Sequence, residues 1–181
     1  MITQESMREK ILQAVLSSTE SVFSTMLGME LTKGEVYFKA GATNPTDGVV
    51  SLIGLAGPWM GTGSIACSPL LACKISGALL MSEYAAVDDE VLDAVAEVTN
   101  MVIGNVKTII EEEVGPMGLS IPTVIFGKNF ATRSVGSSSW TIVPFEFEGE
   151  TLIVQICLVQ NAGGKSQNNV RFTNPQMALA G

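Results

Sequence analysis

The chain has 181 residues, 46% hydrophobic and 15% charged, a mix that suits one folded domain with a sizeable core and excludes general disorder. A formal net charge of −8 and a pI of about 4.5 argue against nucleic acid or anionic lipid as a partner. Histidine is absent, which removes imidazole acid/base catalysis, histidine metal ligands and a phosphohistidine intermediate.

The N-terminus carries Arg8, Glu9 and Lys10 and no apolar signal core, so a cytoplasmic location is expected. A first helix is predicted from about Ser6, where Ser6 and Glu9 have capping-box spacing, to about Gly28. Its apolar positions are Ile11, Leu12, Val15, Leu16, Val22, Phe23 and Met26. A weak strand, GEVYFK, follows from Gly34, then a turn around Asn44-Pro45-Thr46-Asp47-Gly48. From Gly48 to Cys73 no residue is charged, but Gly54, Gly57, Pro58, Gly61 and Gly63 interrupt the stretch, so it reads as a hairpin rather than a membrane span. Ser68-Pro69 opens a helix expected to run to about Ser82, with serine as N-cap and proline at the first helical position.

A long helix is predicted from Asp88 or Asp89, whose acids suit the positive end of the helix dipole, to Gly115-Pro116. Three β-rich runs follow, Ile121–Phe126, Ser139–Phe147 and Thr151–Val159, the last two joined by a turn at Glu148-Gly149-Glu150. The domain is placed at 1–159, and the polar segment 160–181, which includes GGKSQNN, is read as a peripheral tail that need not be ordered. Cys67, Cys73 and Cys157 form no C-x-x-C pair and are odd in number. They fit buried free thiols rather than a zinc site, a disulfide framework or a nucleophile. Trp59 and Met60, in the Gly-rich turn, fit either an exposed patch or a packed turn.

On the long helix, Val91, Val95, Val98, Val102, Val106 and Ile109 share one face, a core-facing stripe. The opposite face carries Glu90, Asp93, Glu97, Asn100, Gly104, Lys107 and Glu111, and the i, i+3 spacing makes Glu97 and Asn100 neighbours on the helix surface. A mid-helix glycine costs about 1 kcal/mol relative to alanine, so Gly104 suggests a notch where another backbone approaches. Glu111, Glu112 and Glu113 read as a solvated helix end.

The segment DAVAEVTNMVIGNVKTIIEEEVGPMGLSIPTVIFGKNF resembles the signature region of the CheC and CheX phosphatases, which act on phosphorylated CheY in bacterial chemotaxis. Asp93, Glu97 and Asn100 match that family's acidic-or-serine, glutamate and asparagine positions, and Pro122 stands about where its downstream proline is expected. CheC-like members carry two such helices. Here the first helix offers only Glu9 followed by Leu12 and Glu20 followed by Phe23, so the likeness is to the single-site CheX type. The resemblance implies an α+β fold, long helices packed on a largely antiparallel sheet, and a homodimer. It also implies a phosphorylated CheY-like receiver as partner, no cofactor of the chain's own, and Mg²⁺ on the receiver. Glu97 would pair with the receiver lysine and Asn100 would orient the attacking water, with Asp93 and Gly104 at the docking edge. The alternative is a non-catalytic receiver-binding adaptor or flagellar switch-like module of the same fold.

Overall fold

Helix signals in the sequence carry over into the structure with two adjustments. The structure, a computed structural model, describes residues 4–40, 46–130 and 139–161. Helix α1 spans Gln4–Val22, so Ser6 lies inside it rather than capping it. It continues as a π-helical turn, Phe23–Leu27, closed by Gly28 at φ 63°. The wider turn shifts the apolar register by one residue: Leu27 is buried, whereas Met26 is 56% exposed. Helix α2 is Pro69–Leu80, with the Ser68 hydroxyl accepting from the Leu71 N–H at 3.1 Å, and α3 is Asp89–Val114.

The strands are β1 Thr32–Lys33, β2 Tyr37–Ala40, β3 Thr46–Ala56, β4 Trp59–Cys67, β5 Gly118–Leu119, β6 Thr123–Phe130, β7 Ser139–Phe147 and β8 Glu150–Gln160. They form one sheet in the order β1-β7-β8-β4-β3-β5, with β2 also on β7 and β6 also on β3. Every pairing is antiparallel, as the expected fold class requires. The uncharged stretch is the β3–β4 hairpin and the first turn of α2. Among the described residues no helix is long and apolar enough to cross a membrane.

Several expectations need correction. The two-residue strands β1 and β5 carry no periodic signal, and the strand expected from Ile121 starts at Thr123 and runs on to Phe130. Of the turn expected around Asn44, residues 44 and 45 lie outside the described residues, and Thr46 to Gly48 already belong to β3. Gln160 is the last residue of β8 rather than the first of a tail. Asn161 ties that end to the β3–β4 turn, its N–H donating to the Pro58 carbonyl at 2.9 Å and its amide to the Gly57 carbonyl at 3.1 Å. The rest of the tail lies outside the described residues.

All three helices pack on one face of the sheet, over a core that includes Phe23, Ile53, Ile65, Leu71, Val143, Phe145, Leu152 and Ile156. Side chains alternate along a strand, so Trp140, Ile142 and Cys157 gather in a second, smaller cluster on the other face. Two glycines of β4 set the spacing. A Cβ at Gly61 would lie 1.9 Å from the Cys157 carbonyl oxygen, and one at Gly63 would lie 2.8 Å from the side chain of Ile103. Bare backbone at Gly63 thus lets α3 settle directly on the sheet, which fixes the height and rotation of its outer face.

Candidate functional site

Helix α3 is held at both ends by its own sequence. The Asp88 carboxylate accepts from the Val91 N–H at 2.9 Å, and the Gly115 N–H donates to the Glu111 carbonyl at 2.9 Å. Val91, Val95, Val98, Val102 and Val106 are all buried, as the periodicity requires. The stripe ends on Ile110, however, with Ile109 only partly buried. Thr99 is buried too and donates to the Val95 carbonyl at 2.8 Å, so a polar residue sits inside the core stripe without an orphaned hydroxyl. Against the sheet on one side, and against α1 and α2 on its flanks, the helix has no freedom to roll.

On the outer face Glu90, Asp93, Glu97 and Asn100 are exposed. Glu97 and Asn100 stand one turn apart, with Cβ atoms about 5–6 Å from each other by helix geometry. The side chains of Asp93, Glu97 and Asn100 make no hydrogen bond or ion pair with any described residue. A carboxylate and a carboxamide side by side, both open to an incoming group, can accept from a cation, and the carboxamide can accept from and donate to a water molecule at once.

The polar stripe is not uniform. Beyond Asn100 it passes under the segment that leads into β5. Lys107 pairs with Glu111 at 2.7 Å, and the Glu111 carboxylate also accepts from the Met117 N–H at 2.6 Å. The Lys107 ammonium, with that N–H, holds the Glu111 carboxyl below its ordinary value. Glu111 is therefore a tethered group, unlike its exposed neighbours Glu112 and Glu113, of which Glu113 pairs with Lys10. Among the described residues no backbone approaches Gly104: a Cβ there would meet only the Leu119 side chain, at an ordinary 3.8 Å.

Sequence periodicity gave no sign of an open cleft of about 500 Å³ beside the exposed half of α3, lined by Leu79, Leu80, Ser82, Tyr84, Glu90, Asp93, Ala94 and Glu97. Its far wall is the end of α2, locked to α3 where the Ser76 hydroxyl meets the carbonyls of Ala72 at 2.8 Å and Val91 at 3.2 Å. The Tyr84 hydroxyl donates to Glu90 at 2.9 Å, and that carboxylate pushes the phenol above its ordinary pKa. A lone aromatic in the polar link between two helices was the signal available in the sequence.

The remaining candidates separate. Burial pushes the Cys67 thiol up to about 12 and raises Cys73 as well, the opposite of nucleophile activation. Trp59 is buried while Met60 is 46% exposed, so the Gly-rich turn is part packed and part open. At the places where the first helix and its π turn would need a second asparagine stand Leu12, partly buried, and Phe23, fully buried.

Residues 49–146, more than half of the chain and including all of α3, match the family model described as the chemotaxis phosphatase CheX. No curated protein matches the sequence. Among solved structures, the chain is similar to a CheC-like superfamily protein from Shewanella sp. PV-4 (TM-score 0.75, 29% identity, 83% of this chain and 97% of that one). It is similar too to the chemotaxis protein CheX from Vibrio vulnificus (TM-score 0.73, 29% identity, 83% and 99%). A third likeness is to CheX from Borrelia burgdorferi in a complex with CheY, BeF3 and Mg²⁺ (TM-score 0.70, 28% identity, 83% and 98%). With the antiparallel sheet, the buried valine stripe and the open Glu97 and Asn100 pair already in place, the match over α3 leaves one assignment: the chain belongs to the CheX family of chemotaxis phosphatases.

Proposed function

We propose that the exposed half of α3 hydrolyses the aspartyl phosphate of a CheY-like receiver, with Asn100 positioning the attacking water and Glu97 pairing with a receiver lysine. The observation that carries this reading is the pair itself: two polar side chains on one rigid helix face, both exposed and neither engaged by a described residue. The Borrelia relative seen with CheY, BeF3 and Mg²⁺ supports the choice of partner.

Phosphoryl transfer asks little covalent chemistry of a protein; positioning an in-line water and balancing charge supply most of the rate. In the proposed reaction the Asn100 carboxamide oxygen accepts a hydrogen bond from the water, and the water oxygen attacks phosphorus. The bond from phosphorus to the aspartyl oxygen breaks, leaving inorganic phosphate and a free receiver carboxylate. Asn100 need not change protonation. Glu97 accepts from the lysine ammonium, which fixes the register of the two proteins. Asp93 and Gly104 border the docking surface, and Mg²⁺ is the receiver's own.

The same reading takes the chain through β8 as one CheX-like domain and pairs it as a homodimer. Strand β6 supports the dimer: among the described residues it hydrogen-bonds only to β3, and Phe126 on it is 52% exposed, beside Ile121 at 86%. The decisive test is phosphate release from a phosphorylated receiver with and without the protein. Acceleration by the wild-type chain, lost in Asn100→Ala, is expected. Equal turnover by the two would refute the water-positioning role and favour a binding module.

A further inference from the structure

The cleft beside Glu97 has a composition that a solvated surface does not need. Its less exposed lining is apolar, from Leu79, Ala94 and the Tyr84 ring, and its rim carries Leu80 with the exposed acids Glu90, Asp93 and Glu97. Among the described residues no lysine or arginine lines it. Three of the five carboxylates from Asp88 to Glu97 line the cleft, and none of the three forms an ion pair with a described residue, so a neutral or acidic surface laid over this rim would desolvate them without a cation. Leu80 is 45% exposed at the lip. Next to it Met81 is 94% exposed and caps α2 in the left-handed conformation at φ 54°. Glycine would adopt that conformation at lower cost, and a polar residue would be better solvated there.

We infer that this cleft is a second contact site for the receiver, taking one apolar side chain against Leu80 and Tyr84 and a neighbouring basic side chain on Glu90 and Asp93. The inference rests on the reading of Glu97 and Asn100 as the phosphatase face, and Glu97 joins the two, since it lines the cleft and also stands one turn from Asn100. Any body broad enough to bring a phosphoryl group to Asn100 therefore overlies part of the cleft. The Tyr84 hydroxyl already fixes the Glu90 carboxylate, so the rim is set before the partner arrives. The cleft then selects among receivers: the aspartyl phosphate, Mg²⁺ and lysine are what receivers have in common, whereas an apolar side chain beside a basic one at this position is what would distinguish one from another.

The test uses the full chain and the CheY-type receivers of the same organism, loaded with Mg²⁺ and beryllofluoride for binding and phosphorylated for turnover. Leu80→Lys places the protein's own cation against the acidic rim, at a helix end that tolerates positive charge. It should weaken binding roughly tenfold, as loss of a well-seated anchor does, and raise KM in proportion while kcat at saturation stays within about twofold. Glu90→Gln should bind several-fold more weakly while melting as the wild type does, because the carboxamide oxygen can still accept from the Tyr84 hydroxyl. That pairing of equal stability with poorer binding is what a purely structural role would not produce. Wild-type binding and KM in both variants, with turnover lost in Asn100→Ala, would overturn the cleft site and leave the phosphatase reading standing. Unimpaired turnover in Asn100→Ala with weakened binding in Leu80→Lys would do the reverse. A wild-type chain that binds none of the receivers overturns both.

Discussion

The two halves of the polar face of α3 look alike in sequence and differ in what surrounds them. Glu90, Asp93, Glu97 and Asn100 face solvent, and the side chains of the last three have no partner among the described residues. Lys107 and Glu111, on the same stripe, are bound to each other, and Glu111 also accepts from the Met117 backbone N–H. The difference comes from the path of the chain beyond the helix, which turns back at Gly115 so that the segment through β5 covers the second half only. Helical periodicity identifies a polar face; whether that face is free depends on where the next residues go. Open polar groups on a buttressed helix suit work on a partner, and tethered ones hold the helix end in place.

The comparison breaks most sharply at Asn100. Asn100→Ala should lower turnover at saturating receiver by about 100-fold or more, the order lost when a reacting atom is misplaced by an ångström, with binding largely retained. Rapid-quench measurement of phosphate loss checks this. Glu97→Ala should appear instead as weaker complex formation, by about 2 kcal/mol if the lysine pair is desolvated, with a shallower dependence on added salt. Calorimetric titration at two ionic strengths decides it, and unchanged affinity would sink the pairing role.

Gly104 marks the border between the halves and sharpens the contrast. Gly104→Ala meets only an ordinary contact with Leu119, so helix propensity should raise stability by up to about 1 kcal/mol. If the notch serves the partner, receiver affinity should fall even as the melting temperature rises. A variant that gains stability and binds normally would show that the glycine serves neither half. The smallest effect is expected in the tethered half. Glu111 has a depressed folded-state pKa, so its contribution to stability is full above its ordinary value of 4.5 and is lost as pH falls through the lower folded value. Glu111→Gln should therefore cost a little stability at neutral pH and flatten the acid side of the pH–stability curve, without touching turnover.

The site was more legible than its surroundings. Asp88, Gly115 and five valines fixed the extent and the rotation of α3 from sequence alone, because capping and periodicity are local. What went unread was non-local. Tyr84 lies in a link without periodicity, and its partner Glu90 shares a cleft with Leu79 and Leu80 only once α2 folds back onto α3. Strands β1 and β5 are two residues long and exist because β7 and β3 supply their partners. The π turn at Phe23–Leu27 displaced Met26 outward for a reason that no 3.6-residue template contains.

The position of β8 has a consequence for how the molecule is made. It is the last described strand to leave the ribosome, yet it sits in the middle of the sheet, between β7 and β4. Ser64 waits for Gln155, its cross-strand and hydrogen-bonding partner at 2.9 Å, 91 residues further along the chain. The β3–β4 hairpin and α3 are synthesised well before, so a nascent chain carries the helix that bears Glu97 and Asn100 on a half-sheet whose β4 edge is bare. Closure of the sheet is thus a late event with a large loop to bring together, slow by topology, and during synthesis the β4 edge is the surface most in need of a chaperone.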